Sequence, residues 1–269
     1  MPAAVERLLD SFLAFEDRNG AALQAAFVEI DDNLAKLLNG DPASFLKTEH
    51  DPAVHQDFNL IGRTFLTIGH DFHIGAQAGE LIDNFVLKGF GLHKSDTPPE
   101  QTDFLALDRN LEETAKDLRH TGLDFLKLTT AHTPDAFAAK LDAIAGDFTE
   151  LAGDLSDDSD ALSKLAGDLI QLGSLPNPPS VQQALTDFGT ELQTVAGQFS
   201  DLSTDLVQLS DATQMAPGTV GPAFMALFQD FHDLGAEAAT VGAEANALIH
   251  DLRAAGQADL AATLAGSHQ

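Results

Sequence analysis

The stretch PDAFAAKLDAIAGDFTELAGDLSDDSDALSKLAGDLIQLG, residues 134–173, decides the fold class. It opens on a proline and contains no other. Leu141, Ile144, Phe148, Leu151, Leu155, Leu162, Leu165, Leu169 and Leu172 follow at steps of three and four, broken only at Asp158. That spacing gathers the apolar side chains on one stripe of a helix, the seam of a coiled coil or long helical bundle. A proline inside a helix costs about 3 kcal/mol, so its absence within and presence before the stretch reads as turn, then helix.

The same punctuation divides the whole chain. Its 11 prolines lie between long proline-free stretches. Asp51-Pro52, Thr97-Pro98 and Thr133-Pro134 each place a capping side chain before a proline at the first helical position. Ser180 to Gln183 reads as a capping box. No stretch alternates apolar and polar residues as a strand requires. The reading is all-α: an elongated antiparallel bundle of about six long amphipathic helices with coiled-coil-like heptad packing. One domain is expected over 1–269, with helices at 3–38 (kinked near 19–20, at Asn19-Gly20), 52–94, 98–131, 134–173, 180–213 and 219–264.

Four further segments take the same register. Phe58, Ile61, Phe65, Ile68 and Phe72 form its seam in the second, and Leu107, Leu111, Leu118, Phe125 and Leu128 in the third. Val181, Leu185, Phe188, Leu192, Val195, Phe199, Leu202, Leu206 and Leu209 continue it, as do Val220, Phe224, Leu227, Phe231 and Leu234. Beside this seam runs a column of small residues, the e position of the heptad: Gly62 and Gly69; Ala115 and Gly122; Ala145, Ala152, Ser159, Ala166 and Gly173; Gly189, Ala196, Ser203 and Ser210. A mid-helix glycine costs roughly 1 kcal/mol, so this many imply close helix packing. On the other side, at g, lies an acidic column that includes Asp57, Asp117, Asp124, Asp147, Asp154, Asp168, Asp205 and Asp230. With e small and g acidic, the usual g-to-e ion pairs cannot form. A weaker regularity relates Ile61–His73 to Val220–His232, an echo that shared heptad composition produces as readily as duplication does.

Composition narrows the function classes. The 269 residues carry 42 Asp+Glu against 14 Lys+Arg, a formal net charge of -28. Such an excess argues against nucleic acid or an anionic membrane as a partner. Without Cys, the chain has no disulfide, thiolate metal site or thiol catalysis. Glu6, Arg7 and Asp10 interrupt the apolar start, so no signal peptide is read. The expected location is the cytoplasm, with secretion independent of a signal as the alternative.

Candidate sites are few. His70 and His73, three residues apart on one helix, with His232 from the last helix, form the metal-ligand candidate. Their register positions, f and b, point away from the core, and bundle metal sites are built from inward-facing residues. The expectation is therefore surface histidines, with no metal and no cofactor. His55 and His93 are expected as partly wet residues near helix ends. Ser156 to Asp160 puts Asp158 at a seam position; it lacks the Gly and Glu of a calcium loop and is read as a solvated polar break. No phosphate loop, Ser-His-Asp triad or zinc-hydrolase helix is supported by spacing.

The functional expectation is a non-enzymatic structural or protein-interaction bundle, acting on a protein partner or on itself. The alternative is a binder of lipid or other apolar surfaces through amphipathic helices. A second alternative is weak divalent-cation binding by acidic helix faces.

Overall fold

The computed structural model describes residues 42–89, 99–174, 178–215 and 219–254, together with helical residues 22, 25–26, 29–30, 32–34 and 36–37. The expected kink near 19–20, the Thr97-Pro98 cap, His93 and the last ten residues of the final expected helix lie outside them. Among the described residues there is no strand. The elements are α1 (Pro42–Glu49), α2 (Pro52–Gly89), α3 (Pro99–Leu128), α4 (Pro134–Gly173), α5 (Pro179–Met215) and α6 (Val220–Ala254). Five of these have 30 to 40 residues. The eight-residue α1 was not foreseen.

Local chemistry sets two of the helix starts. The Thr133 side chain accepts a hydrogen bond from Ala136 N at 3.2 Å, with Pro134 in the first turn. Asp51 Oδ1 accepts from Ala53 N at 2.9 Å in front of α2. Both arrangements satisfy amide donors that a helix start leaves free. The expected capping box at Ser180 is not formed as such. The helix starts one residue earlier, at Pro179, and the Gln183 amide donates to Asp187 Oδ1 at 2.7 Å instead.

The expected polar break at 156–160 is a correction. Helix α4 runs unbroken from Pro134 to Gly173, and Asp158 is fully buried. A long helix packed along its whole length stays helical through one unfavourable seam residue, because breaking it would expose the apolar residues on either side.

One apolar cluster extends from Ile30 to Leu248. At its centre Phe65 of α2, Phe125 of α3, Phe148 of α4 and Phe224 of α6 meet with ring centroids 5.7 to 6.0 Å apart. A second layer joins Phe72 to Phe199 of α5 and Phe231 of α6. Rings without a polar atom suit this place, since a hydroxyl there would need a partner. The two echoing sequence stretches turn out to face each other. Ile61, Thr64, Phe65 and Ile68 line one side of a tight seam, and Phe224, Leu227, Phe228 and Phe231 line the other.

Two helix pairs are in near-backbone contact. A Cβ placed on Gly62 would lie 2.7 Å from the Gly122 carbonyl oxygen, and one on Gly122 would lie 2.6 Å from that of Gly62. One heptad along, a Cβ on Gly69 would lie 2.8 Å from the Ala115 oxygen. Seven forward on α2 is seven back on α3, so the pair is antiparallel and its small columns face each other.

Helices α4 and α5 repeat the device over five heptads. Ser210 Oγ donates to Ala145 O at 2.8 Å, Ser203 Oγ to Ala152 O at 2.7 Å and Ser159 Oγ to Ala196 O at 2.7 Å. Cβ atoms on Gly189 and Gly173 would lie 2.9 Å from the oxygens of Ala166 and Gln182. Each serine bond contributes about 1 kcal/mol net.

Other glycines have no such role. A Cβ on Gly146, Gly153, Gly167 or Gly197 meets nothing within 4 Å. Alanine at each is therefore expected to stabilise the protein by about 1 kcal/mol, the helix-propensity difference. Thermal or denaturant unfolding of the four single variants checks this, with destabilisation as the contrary result.

Candidate functional site

The chemistry-bearing residues converge where the pair α2·α3 meets the pair α4·α5. Since small columns close each pair, the acidic columns of α3 and α4 are left to face one another. Asp117 lies beside Asp154, and Asp124 and Asp147 come together one heptad away. Glu113, Glu150 and Asp157 add their charges beside them. A seam of carboxylates against carboxylates follows directly from a g column meeting its antiparallel copy.

At the dry end of this seam sits Asp158. Its Oδ2 accepts a 2.7 Å hydrogen bond from Thr114 Oγ1, and both residues are fully buried. Its Oδ1 is buried without a partner. Removal from water opposes ionisation, and the charges of Asp154, Asp157 and Glu113 oppose it further. The Thr114 bond works the other way, but the carboxyl is pushed up to about 8.

Asp154 is raised to about 7 by burial, by Asp117 beside it and by other nearby carboxylates. Burial raises Asp147 to about 6, against the lowering effect of His120. Asp57 and Asp230 are also raised to about 6, chiefly by burial. Glu29 adds to the first and Asp205 to the second.

Basic side chains answer only part of this charge. Lys127 pairs with Asp124, and His120 Nδ1 lies 3.4 Å from Asp147 Oδ1. His120 also lines an open groove that includes His73, Lys116, Arg119 and Glu150.

The histidines singled out from sequence fall elsewhere. His70 is exposed, while His73 and His232 are half-buried. Among the described residues, the His and acidic groups close enough to share one ion are His120, Asp124 and Asp147, not those three. His55 is half-buried, and its Nε2 donates to the Glu49 carbonyl. Glu49 itself is buried between two other imidazoles, His50 and His132; the latter lies 2.8 Å away.

Sequence reasoning missed Thr114 and His120. The signal for Thr114 was present: it and Thr121 occupy seam positions where leucine is expected, and both are fully buried. Nothing in the pattern marks His120, which is exposed and gains a role only from the helix opposite.

No described helix is long and apolar enough to cross a membrane. Comparison with protein-family models, curated proteins and solved structures returned no match.

Proposed function

We propose that the protein is a non-enzymatic interaction protein, an acidic helical bundle that presents its long helix faces to a basic protein partner. In this reading the helices mesh as an elongated, coiled-coil-like antiparallel bundle. The supporting observation is the pairing of α4 with α5 through five successive small-residue contacts. That pairing stiffens two helices of 40 and 37 residues, on the order of 55–60 Å each at 1.5 Å per residue. Their outward positions carry Asp142, Glu150, Asp157 and Asp160 on α4 and Asp201 and Asp211 on α5, all exposed. With a net charge of -28, such a face attracts a basic surface and repels a second copy of itself.

Small-angle scattering of the full chain, joined to affinity capture and cross-link mapping, tests the reading. An elongated particle is expected, with cross-links falling on the α4–α5 face and lost in Asp157→Lys/Asp160→Lys. A compact sphere, or capture unchanged by the charge reversal, would overturn it.

The acid seam favours a second reading, in which the bundle opens and lays apolar faces on lipid or another apolar surface. Beneath that seam lies the phenylalanine cluster, and like charges weaken the join between the two tight pairs. Flotation with neutral and anionic vesicles decides: binding is expected to neutral vesicles alone, and none to either removes the reading.

A further inference from the structure

The seam between α3 and α4 has one spot where an imidazole joins the carboxylates. His120, Asp124 and Asp147 each offer a ligand atom, and these atoms lie within 4.8 Å of one another. His120 and Asp124 are about one turn apart on α3, so both are able to reach Asp147 across the seam.

Asp147 anchors the group. It is 8% exposed, and its Oδ2 is buried with no hydrogen-bond partner. A buried acceptor left in this condition is destabilising, and more so when it is charged. Asp124, Glu150 and Asp117 crowd further negative charge around it. The basic side chains that meet these carboxylates are Lys127, which is engaged by Asp124, and His120, whose side chain is 54% exposed; Lys116 and Arg119 line the groove beside them.

We propose that His120, Asp124 and Asp147 bind a divalent transition-metal ion, Zn2+ or Mn2+, which clamps α3 to α4. One imidazole nitrogen with two carboxylate oxygens suits these ions, whereas Ca2+ and Mg2+ favour oxygen alone. Bonds of about 2.0–2.2 Å require the ligand atoms to draw slightly closer than they stand. The exposed His120 ring has the freedom to do so. The remaining coordination positions open on the groove that His120 shares with Glu150, where water or that carboxylate completes the shell. An ion here would neutralise charge at the join between the two helix pairs. The site stands independently of the interaction role proposed above.

Calorimetric titration of the full chain, first stripped with a chelator, with ZnCl2 and with MnCl2 at physiological salt tests this. One saturable site per chain is expected for at least one of the two ions. Asp147→Asn and His120→Gln should each weaken it by at least about tenfold. Lys127→Ala should tighten it by freeing Asp124 of its competitor. Because His120 is exposed and Asn is nearly isosteric with Asp, both variants are expected to fold, which helical circular dichroism verifies. Co2+ supplies a second readout, with visible absorption bands in the wild type that His120→Gln lacks. Absence of a saturable site for both ions, or unchanged affinity in both variants, overturns the proposal and assigns any heat to diffuse attraction by the acidic surface.

Discussion

Replacing Asp158 by Asn is expected to raise the unfolding free energy strongly at pH 8.5 and far less at pH 5. In the folded protein this carboxyl is pushed up to about 8; in the unfolded chain it ionises near the usual 3.9. The native state therefore holds more protons than the unfolded state between those values, and stability falls as pH rises. Its stabilising effect is complete below about pH 4 and is lost as pH climbs through 8. For this group alone the loss is on the order of 5 kcal/mol.

Asp154, raised to about 7, and Asp147, Asp57 and Asp230, raised to about 6, act in the same direction. The partial exposure of Asp154, Asp57 and Asp230 makes their contributions smaller, through solvent screening. The wild type should thus melt at a higher temperature at pH 5 than at pH 8.5, the reverse of a protein held together by ion pairs. Asn keeps an oxygen for Thr114 and removes the buried charge. Denaturant titrations of both proteins across this range check the expectation: the variant's curve of stability against pH should be shallower. Parallel curves would show that Asp158 does not carry the effect.

Gly122→Val is expected to destabilise the protein by at least about 3 kcal/mol, roughly 6–12 °C in melting temperature for a chain of this size. A Cβ at that position would lie 2.6 Å from the Gly62 carbonyl oxygen and 3.0 Å from the Leu66 backbone nitrogen. Neither neighbour is a flexible side-chain end, so helices α2 and α3 have to separate. Separation loosens the Phe65–Phe125 contact as well, where the rings stack 5.7 Å apart.

The reciprocal contact makes this test sharper. Gly62→Ala meets the Gly122 oxygen at 2.7 Å, so the shift that relieves one clash relieves much of the other. The double variant Gly62→Ala/Gly122→Ala should therefore cost less than the two singles added together. Strict additivity, or a Gly122→Val variant as stable as wild type, would contradict the close packing of this pair. Gly146→Ala, with open space around it, supplies the control of opposite sign.

The contrast between Gly122 and Gly146 shows where local reasoning stops. Both are mid-helix glycines with the same propensity cost, and register alone distinguishes them: Gly122 lies beside the seam, while Gly146 faces outward. The helical class, the turns at Pro52 and Pro134, and the burial of Leu141, Phe148, Leu185 and Leu206 follow from proline placement and three-four spacing. Such features are legible because each residue's role depends on neighbours within one or two turns. Asp158 marks the limit from the other side. Its polarity suggested a break, but packing along the rest of α4 kept the helix intact and took the carboxyl inside.

By itself, then, the sequence determined that the chain is helical, where most turns fall, and that small and acidic columns flank one apolar seam. Only the tertiary structure decided which column meets which. Antiparallel packing brings e to e, which closes α2 on α3 and α4 on α5 through glycine, alanine and serine. It also leaves g facing g, so Asp117 meets Asp154 and Asp124 meets Asp147 beside His120. The physical reason is that helix periodicity is set by local hydrogen bonds and side-chain spacing. The ionisation of a carboxyl is set by whatever charge and solvent a distant segment brings to it.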